Sequence, residues 1–398
     1  MTSSEATAAT HRGPLAGVRV LDLTRVVMGP LATQILADQG ADVIIIEAAE
    51  GDTSRMMGPG PHEELSGISL NLLRNKRSVV LDLKTEGGRA VARRLAATCD
   101  VVVATMRPSA LKRLGVDYAS IRIVRPDVVY CQAQGFPLDS ARADDPAYDD
   151  IIQVATGVAE MMERVWGEPL LLPSVFTDKL CGLVIAQAVT AALLHRERTG
   201  EGQHVEVPMQ QAASAFMLVE HGSGAISEPP VTQDGQPATG YSRVLSQQRR
   251  PQATKDGWIH LFPYLPKHYA LIFGNAGAPG ADSDPRYVDR RAALQHSDSL
   301  YSDIRQIAPT KTTDDWLAFC RQHGIPATPV VSLQDLVDEL PVIEHPVAGR
   351  YRVIPMMARF SATARSVLRR HAPLIGADTD DVLDELARLE SDTGRRAP

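Results

Sequence analysis

Asp178 stands where chemistry could be done. A short polar turn, Thr177-Asp178, precedes an apolar run from Leu180 to Leu194 that is too long for one strand. The run predicts a buried helix with the carboxylate at its mouth. Small residues at Gly182, Ala186, Ala188, Ala191 and Ala192 let that helix pack closely on a neighbour. His195-Arg196-Glu197-Arg198 puts cations in the last turn, and Gly200 and Gly202 end it. A carboxylate so placed is either an N-cap, a position Asp favours, or a nucleophile or base held at a helix N-terminus. Tyr148 and Asp149 open a second apolar helix, IIQVATGVAEMM, and Asp149 carries the same choice between cap and chemistry. Lys76, Arg77, Lys84, Arg107 and Arg113 fall near strand ends. Such residues are commonly just solvated. They also suit a phosphate-bearing ligand, which binds where cations and backbone N–H groups converge.

The elements that must carry these side chains alternate between strand and helix. VRVLDL (18–23) reads as a strand, LATQILADQG (31–40) as a short helix with Pro30 in its first turn, and ADVIIIE (41–47) as a second strand. VVLDLK (79–84), DVVVAT (100–105) and the stretch 126–134 read as three more strands, with a helix over 85–99 and one or two short helices after Arg107-Pro108. His204 to Val207 alternates like a strand, and a helix follows to about His221. Repeated β-α units predict a parallel, Rossmann-like sheet. The first strand-to-helix turn, TRVVMGP, lacks the glycines of a dinucleotide site. Glu47 therefore carries little weight as a ribose-binding acid. Residues 48–68 form a long Gly-, Pro- and Met-containing loop of the kind that is usually functional.

At 398 residues the chain is long enough for a large and a small domain. We expect a lead-in without order over 1–13, the N-terminal part of the large domain over 14–221, and a Gly-, Ser-, Pro- and Gln-rich linker over 222–252. A small domain follows over 253–340, with helices at 266–276, 286–295, 299–308 and 313–323, and 341–398 returns to the large domain. Two strands are read after His345 and an amphipathic helix near the C-terminus. A net charge of −7 with no basic stripe argues against a nucleic-acid partner. No apolar run reads as a membrane span. Cys99, Cys131, Cys181 and Cys320 are scattered, without CxxC, and the histidines form no HxxxH pair. The expectation is reduced thiols in a cytoplasmic protein with no metal site.

Taken in order, several stretches resemble the family III CoA-transferases, the superfamily of formyl-CoA transferase, carnitine CoA-transferase and α-methylacyl-CoA racemase. They include GVRVLDLTRVVMGPLATQILADQGADVIIIE, NKRSVVLDLK, DVVVATMRPSALKRLG, PAYDDIIQVATG, AALLHRERTGEGQHVEVPM and APLIGADTDDVLDEL. The resemblance runs from Gly17 to Leu389. It implies an α/β fold with a Rossmann-like large domain, a smaller α/β domain and an interlocked, ring-like homodimer. It further implies CoA transfer from an acyl-CoA to a small carboxylic acid, with coenzyme A as substrate and no permanently bound cofactor. Asp178 matches the family nucleophile, which attacks the thioester, and backbone N–H groups at the helix start would steady the developing oxyanion. Tyr148 and Asp149 match the acyl-site pair. CoA contacts carry over to Val26, Val27 and Met28, and to Leu81, Asp82, Leu83 and Lys84. They also carry over to Thr105, Met106, Arg107, Arg113 and Pro146, with Lys84, Arg107 and Arg113 suited to the phosphates.

Three departures stand out. Ala48 replaces the Arg or Lys usual after the strand-ending Glu, Val27 replaces the Gln of formyl-CoA transferase, and VLSQQRRPQ (244–252) replaces that enzyme's glycine-rich lid. They speak against formate–oxalate exchange and leave the acyl pair open. The rival readings are an acyl-CoA racemase or epimerase and a CoA-binding protein without turnover. A racemase of this superfamily carries His where Tyr148 stands. A phenol holds its proton too tightly to be a good base for an α-proton.

Overall fold

The structure, a computed structural model, describes residues 13–232, 237–362 and 368–392. Apart from Gly13, the lead-in expected over 1–13 lies outside them. The described chain divides into two compact units. One holds the residues up to Thr156, Leu172–Phe216 and those from Leu340 on; the other holds Gly157–Leu171 and Met217–Glu339.

The first unit is built on a six-stranded sheet. In chain order its elements are β1 (Arg19–Leu23), α1 (Met28–Asp38), β2 (Asp42–Glu47), α2 (Gly67–Leu72), β3 (Lys76–Val80), α3 (Glu86–Ala97) and β4 (Val101–Ala104). Then come α4 (Pro108–Leu114), α5 (Tyr118–Val124), β5 (Val129–Gln134) and α6 (Asp149–Ala155). After α7 (Val158–Trp166), which belongs to the other unit, α8 (Phe176–Thr199) and β6 (Gln203–Pro208) complete the sheet. The strand order is β3-β2-β1-β4-β5-β6 and every pairing is parallel. The central strands β1, β2 and β4 are mostly apolar because helices cover both faces of the sheet. One layer packs residues of α1 and α8 on the sheet, and the other packs α3, α4, α5 and the C-terminal helix. The order reverses between β1 and β4, and crevices outside the carboxyl ends of strands at such a point are where ligands bind.

The third strand stops earlier than its apolar text. β3 ends at Val80, which pairs with Glu47, the last residue of β2; the Leu81 N–H makes one more bond, to the Glu47 carbonyl at 3.0 Å, and the chain beyond it forms a loop. Two of the strand-end cations are also not where a ligand could use them. Lys76 opens β3 completely buried, with Nζ 3.0 Å from Asp22 Oδ2, 2.7 Å from Thr33 Oγ1 and 3.0 Å from the Pro30 carbonyl. Arg77 pairs with Asp42 and Glu385 at the amino end of the sheet. A buried charge is tolerated only when paired and hydrogen-bonded, and Lys76 and Asp22 satisfy each other while tying β1, β3 and α1 together.

Helix α8 lies against α1 at a point set by Gly182. A Cβ there would fall 2.9 Å from the Met28 carbonyl oxygen and 3.1 Å from Leu31. The absent side chain is what lets the start of α8 approach the start of α1. Gly182→Val should therefore destabilise the fold by ~1–3 kcal/mol through overpacking. A urea or thermal unfolding curve shifted to lower stability checks this. By length and composition α8 could cross a membrane, but its inner face (Cys181, Gly182, Ile185, Val189) is buried in the core of this unit.

From Leu340 the chain adds a hairpin, Val342–His345 with Gly349–Arg352, and the helix Thr379–Asp392. The hairpin starts before His345, and the rest of the stretch read as strand, 353–361, forms none. The second unit has an antiparallel sheet of Gln252–Ala253, Trp258–Leu261 and Ala327–Pro329. Helices Pro266–Asn275, Arg290–Gln295, Ser297–Ile307 and Thr313–His323 pack around Trp316, Tyr301 and Leu300. The helix expected over 286–295 begins only at Arg290, after a separate 3-10 turn at Pro285–Tyr287.

Candidate active site

Asp178 is not the cap of its helix. α8 begins at Phe176, its N-cap is Val175 without a side-chain bond, and Asp178 is the third helical residue. The capping is done from another helix. Asp149, the first residue of α6 and almost fully buried, accepts the Asp178 N–H at 3.0 Å and the Thr177 hydroxyl at 2.7 Å on the same oxygen, Oδ1. Its other oxygen, Oδ2, accepts Gln153 Nε2 at 2.6 Å. Asp149 thus caps α8, not its own helix.

This arrangement changes what the helix start can do. The Asp178 N–H is held by Asp149, the Phe176 N–H by the Ser174 carbonyl at 2.7 Å, and the Lys179 N–H by the Val175 carbonyl at 3.3 Å. These three donors are committed to the fold and are not free to steady an oxyanion. The Asp178 carboxylate itself receives no hydrogen bond among the described residues. Burial first, then the charges of Asp149 and Asp150, push its carboxyl up to about 7. The helix dipole pulls the other way by ~0.3–1 kcal/mol, too little to restore an ordinary carboxylate. The result is an acid that is half ionised near neutrality, with bare oxygens.

Those oxygens face a cavity of about 850 Å³. It opens at the carboxyl ends of β1 to β4, where the strand order reverses. Val26, Val27 and Met28 line it from the turn after β1, and Leu81, Asp82, Leu83 and Lys84 from the loop after β3. Thr105, Met106 and Arg107 line it after β4, Arg113 from α4, and Pro146 and Tyr148 before α6. Tyr148 is exposed there, whereas Asp149 lies behind the wall and does not line the cavity. Arg25 and Glu50, which no local motif marks, also line it. Arg25, Lys84, Arg107 and Arg113 have no carboxylate within ion-pair distance among the described residues, although Lys76 and Arg77 are fully paired. Such a group of unpaired cations suits a multiply charged phosphate ligand.

The first turn is held in an unusual conformation. Val26 has φ of 70°, a left-handed value that a β-branched residue rarely adopts. Its N–H is gripped by both carboxylate oxygens of Asp52, at 3.1 and 3.3 Å. Asp52 is anchored through its own N–H to Glu47 Oε1 at 2.9 Å. Glu47 is fixed in turn by Arg55 and by the Ser78 hydroxyl. Glu47 is therefore a buried anchor for the cavity rim, with its oxygens occupied, which removes it as a ribose ligand. At Gly29 a Cβ would lie 2.2 Å from Thr24 Cβ, so only glycine fits between this turn and α1.

Residues 15–379 match the family model described as CoA-transferase family III. The chain is 32% identical over 398 aligned residues to a succinate–glutarate CoA-transferase of Agrobacterium fabrum, covering 96% of this chain and 97% of that one. It is 31% identical to an acetyl-CoA:oxalate CoA-transferase of Acetobacter aceti, covering 83% and 84% respectively. Among solved structures, a CAIB/BAIF family protein from Brucella suis superposes with a TM-score of 0.78 at 26% identity, over 94% of this chain and 100% of that one.

Proposed function

The chain belongs to CoA-transferase family III and is an acyl-CoA:carboxylate CoA-transferase, and from that premise we propose that Asp178 carries the acyl and CoA groups between donor and acceptor. The observation that supports this most is the state of Asp178 itself. It is a carboxylate with bare oxygens, ionising at about 7, at the wall of a cavity that also presents unpaired cations. A carboxylate tied up by donors would be a poor nucleophile; this one is held by its backbone and left open at its tip.

The reaction follows from that chemistry. An Asp178 oxygen attacks the thioester carbonyl of the donor and expels CoA as thiolate, leaving a mixed aspartyl–acyl anhydride. The thiolate attacks the aspartyl carbonyl and releases the donor acid, giving an aspartyl-CoA thioester. The acceptor carboxylate attacks that thioester to make a new anhydride, and the thiolate then takes the acceptor's acyl group and regenerates Asp178. The thioester is conserved throughout, so neither ATP nor an external nucleophile is required. Arg25, Lys84, Arg107 and Arg113 hold the CoA phosphates, and Tyr148, exposed beside Asp178, positions the acyl carbonyl. Asp149 orders the helix start and raises the carboxyl of Asp178. The resemblance further supports an interlocked homodimer as the working assembly.

The names of the relatives put dicarboxylic acids first in an assay. With succinyl-CoA as donor and glutarate or oxalate as acceptor, the enzyme should form the acceptor's CoA ester without ATP. Failure with every acid tested, alongside α-proton exchange on a branched acyl-CoA, would move the reading to racemisation. Arg107→Gln and Arg113→Gln should each raise KM for the acyl-CoA by ~10-fold with little change in kcat, since phosphate contacts bind ground and transition states alike. A steady-state titration of the donor reads this directly.

A further inference from the structure

We propose that Gln153 is a positioning residue for the transfer reaction, acting through Asp149 on the start of α8. The inference rests on Asp178 being the nucleophile. Gln153 is completely buried, four residues after Asp149 on the same face of α6. Its amide nitrogen donates to Asp149 Oδ2 at 2.6 Å and to the Ser174 carbonyl at 3.1 Å. Its amide oxygen accepts the Leu172 N–H at 2.9 Å.

Those contacts join two things that must agree for Asp178 to be aimed. One is Asp149, whose Oδ1 grips Thr177 and the Asp178 N–H. The other is the segment 172–174 that leads into α8. Ser174 is held a second time by Lys179, whose Nζ lies 2.5 Å from Ser174 Oγ. The amide oxygen and nitrogen of Gln153 are needed in their two different senses, donor to a carboxylate and acceptor from a backbone N–H. A purely apolar filler of the same size would leave the buried Asp149 Oδ2 and the half-buried Leu172 N–H without these partners. The other titratable groups around Asp149 and Asp178 are Asp150 and Tyr148 at the start of α6, and Lys179 and Cys181 on α8. None of them hydrogen-bonds to Gln153, so its role is separable from theirs.

Two variants of the full-length enzyme test this. Gln153→Met keeps the volume and removes both polar senses. It should lower kcat by about 10²-fold, the loss typical of a small misplacement of reacting groups, with KM for the acyl-CoA within twofold of the parent. Gln153→Glu restores the pair of senses only while it is protonated, when its O–H donates to Asp149 and its carbonyl accepts from Leu172. Its kcat/KM relative to the parent should therefore approach one in acid and fall steadily as pH rises through neutrality. Far-UV circular dichroism and CoA binding, recorded alongside, show that both variants are folded. A Gln153→Met enzyme with kcat within twofold of the parent overturns the proposal, as does a Gln153→Glu to parent ratio that is flat with pH. A wrong assignment of Asp178 is distinguishable, because it appears in the parent itself as absence of a covalent adduct on that residue.

Discussion

Asp178→Asn should lower kcat for CoA transfer by ~10⁴-fold or more, as expected when a covalent nucleophile is removed. That is ~5.5 kcal/mol of lost transition-state stabilisation. Asn has the shape of the residue it replaces and leaves the backbone N–H in the grip of Asp149, so the helix start and the cavity stay as they are. The carboxamide cannot form an anhydride. The cations and the turn at Val26 to Met28 are unaltered, so the dissociation constant for CoA should remain within a few-fold of the parent. Initial rates with succinyl-CoA and calorimetric CoA binding, measured on the same preparation, separate the two effects. A variant that keeps a tenth of the parent's rate would remove Asp178 from the covalent path.

The same substitution should make the protein more stable at pH 8. Asp178 has its folded carboxyl raised to about 7, above its value in an unfolded chain. Between those two values the native state holds a proton that the unfolded state has lost. Stability from this group is therefore highest in acid, falls as pH rises from ~4 to about 7, and is constant beyond. The parent carries the whole penalty at pH 8 and none at pH 4, whereas Asn carries none at either. The expected gain for Asp178→Asn at pH 8 is on the order of 2–4 kcal/mol, vanishing toward pH 4. Unfolding curves of both proteins at the two pH values check it. A variant that is less stable than the parent at pH 8, or a gap that does not change with pH, would contradict the burial of an ionised carboxylate. Gained stability and lost turnover from one change is what a site that holds an acid against its preference should show.

Much of the architecture was legible in the chain because buried parallel strands are written as plain apolar runs. VRVLDL, ADVIIIE and DVVVAT needed no further context, and Pro30 and Gly40 marked the first helix. The end of β3 was not legible, since VVLDLK alternates like a strand past Val80 and only the length of its neighbour stops it. Lys76 misled for a related reason. A cation at a strand end is ordinarily solvated, and nothing local says that Asp22, fifty-four positions earlier, will meet it in the core.

In the site, Asp178, Tyr148 and the cations Lys84, Arg107 and Arg113 were marked by their place in the chain, whereas the remaining cavity-lining positions came from resemblance. Val26 is the plainest case: a valine advertises extended backbone, and only the Asp52 side chain arriving from another loop makes its left-handed turn tenable. The relation of Asp149 to Asp178 was hidden too, because a cap supplied from twenty-nine residues away leaves no local signature. The one signal that could have been read was the spacing of Asp149 and Gln153, which puts a carboxylate and an amide on one helical face.

The measurement that bears most directly on the central claim is covalent trapping. The protein is incubated with succinyl-CoA, then with a panel of other acyl-CoAs, quenched with hydroxylamine or borohydride, and digested for peptide mass spectrometry. The predicted result is a modified peptide containing Asp178, formed with at least one donor and missing from Asp178→Asn. A protein that binds CoA yet shows no modification with any donor, or carries it on another residue, would contradict the account.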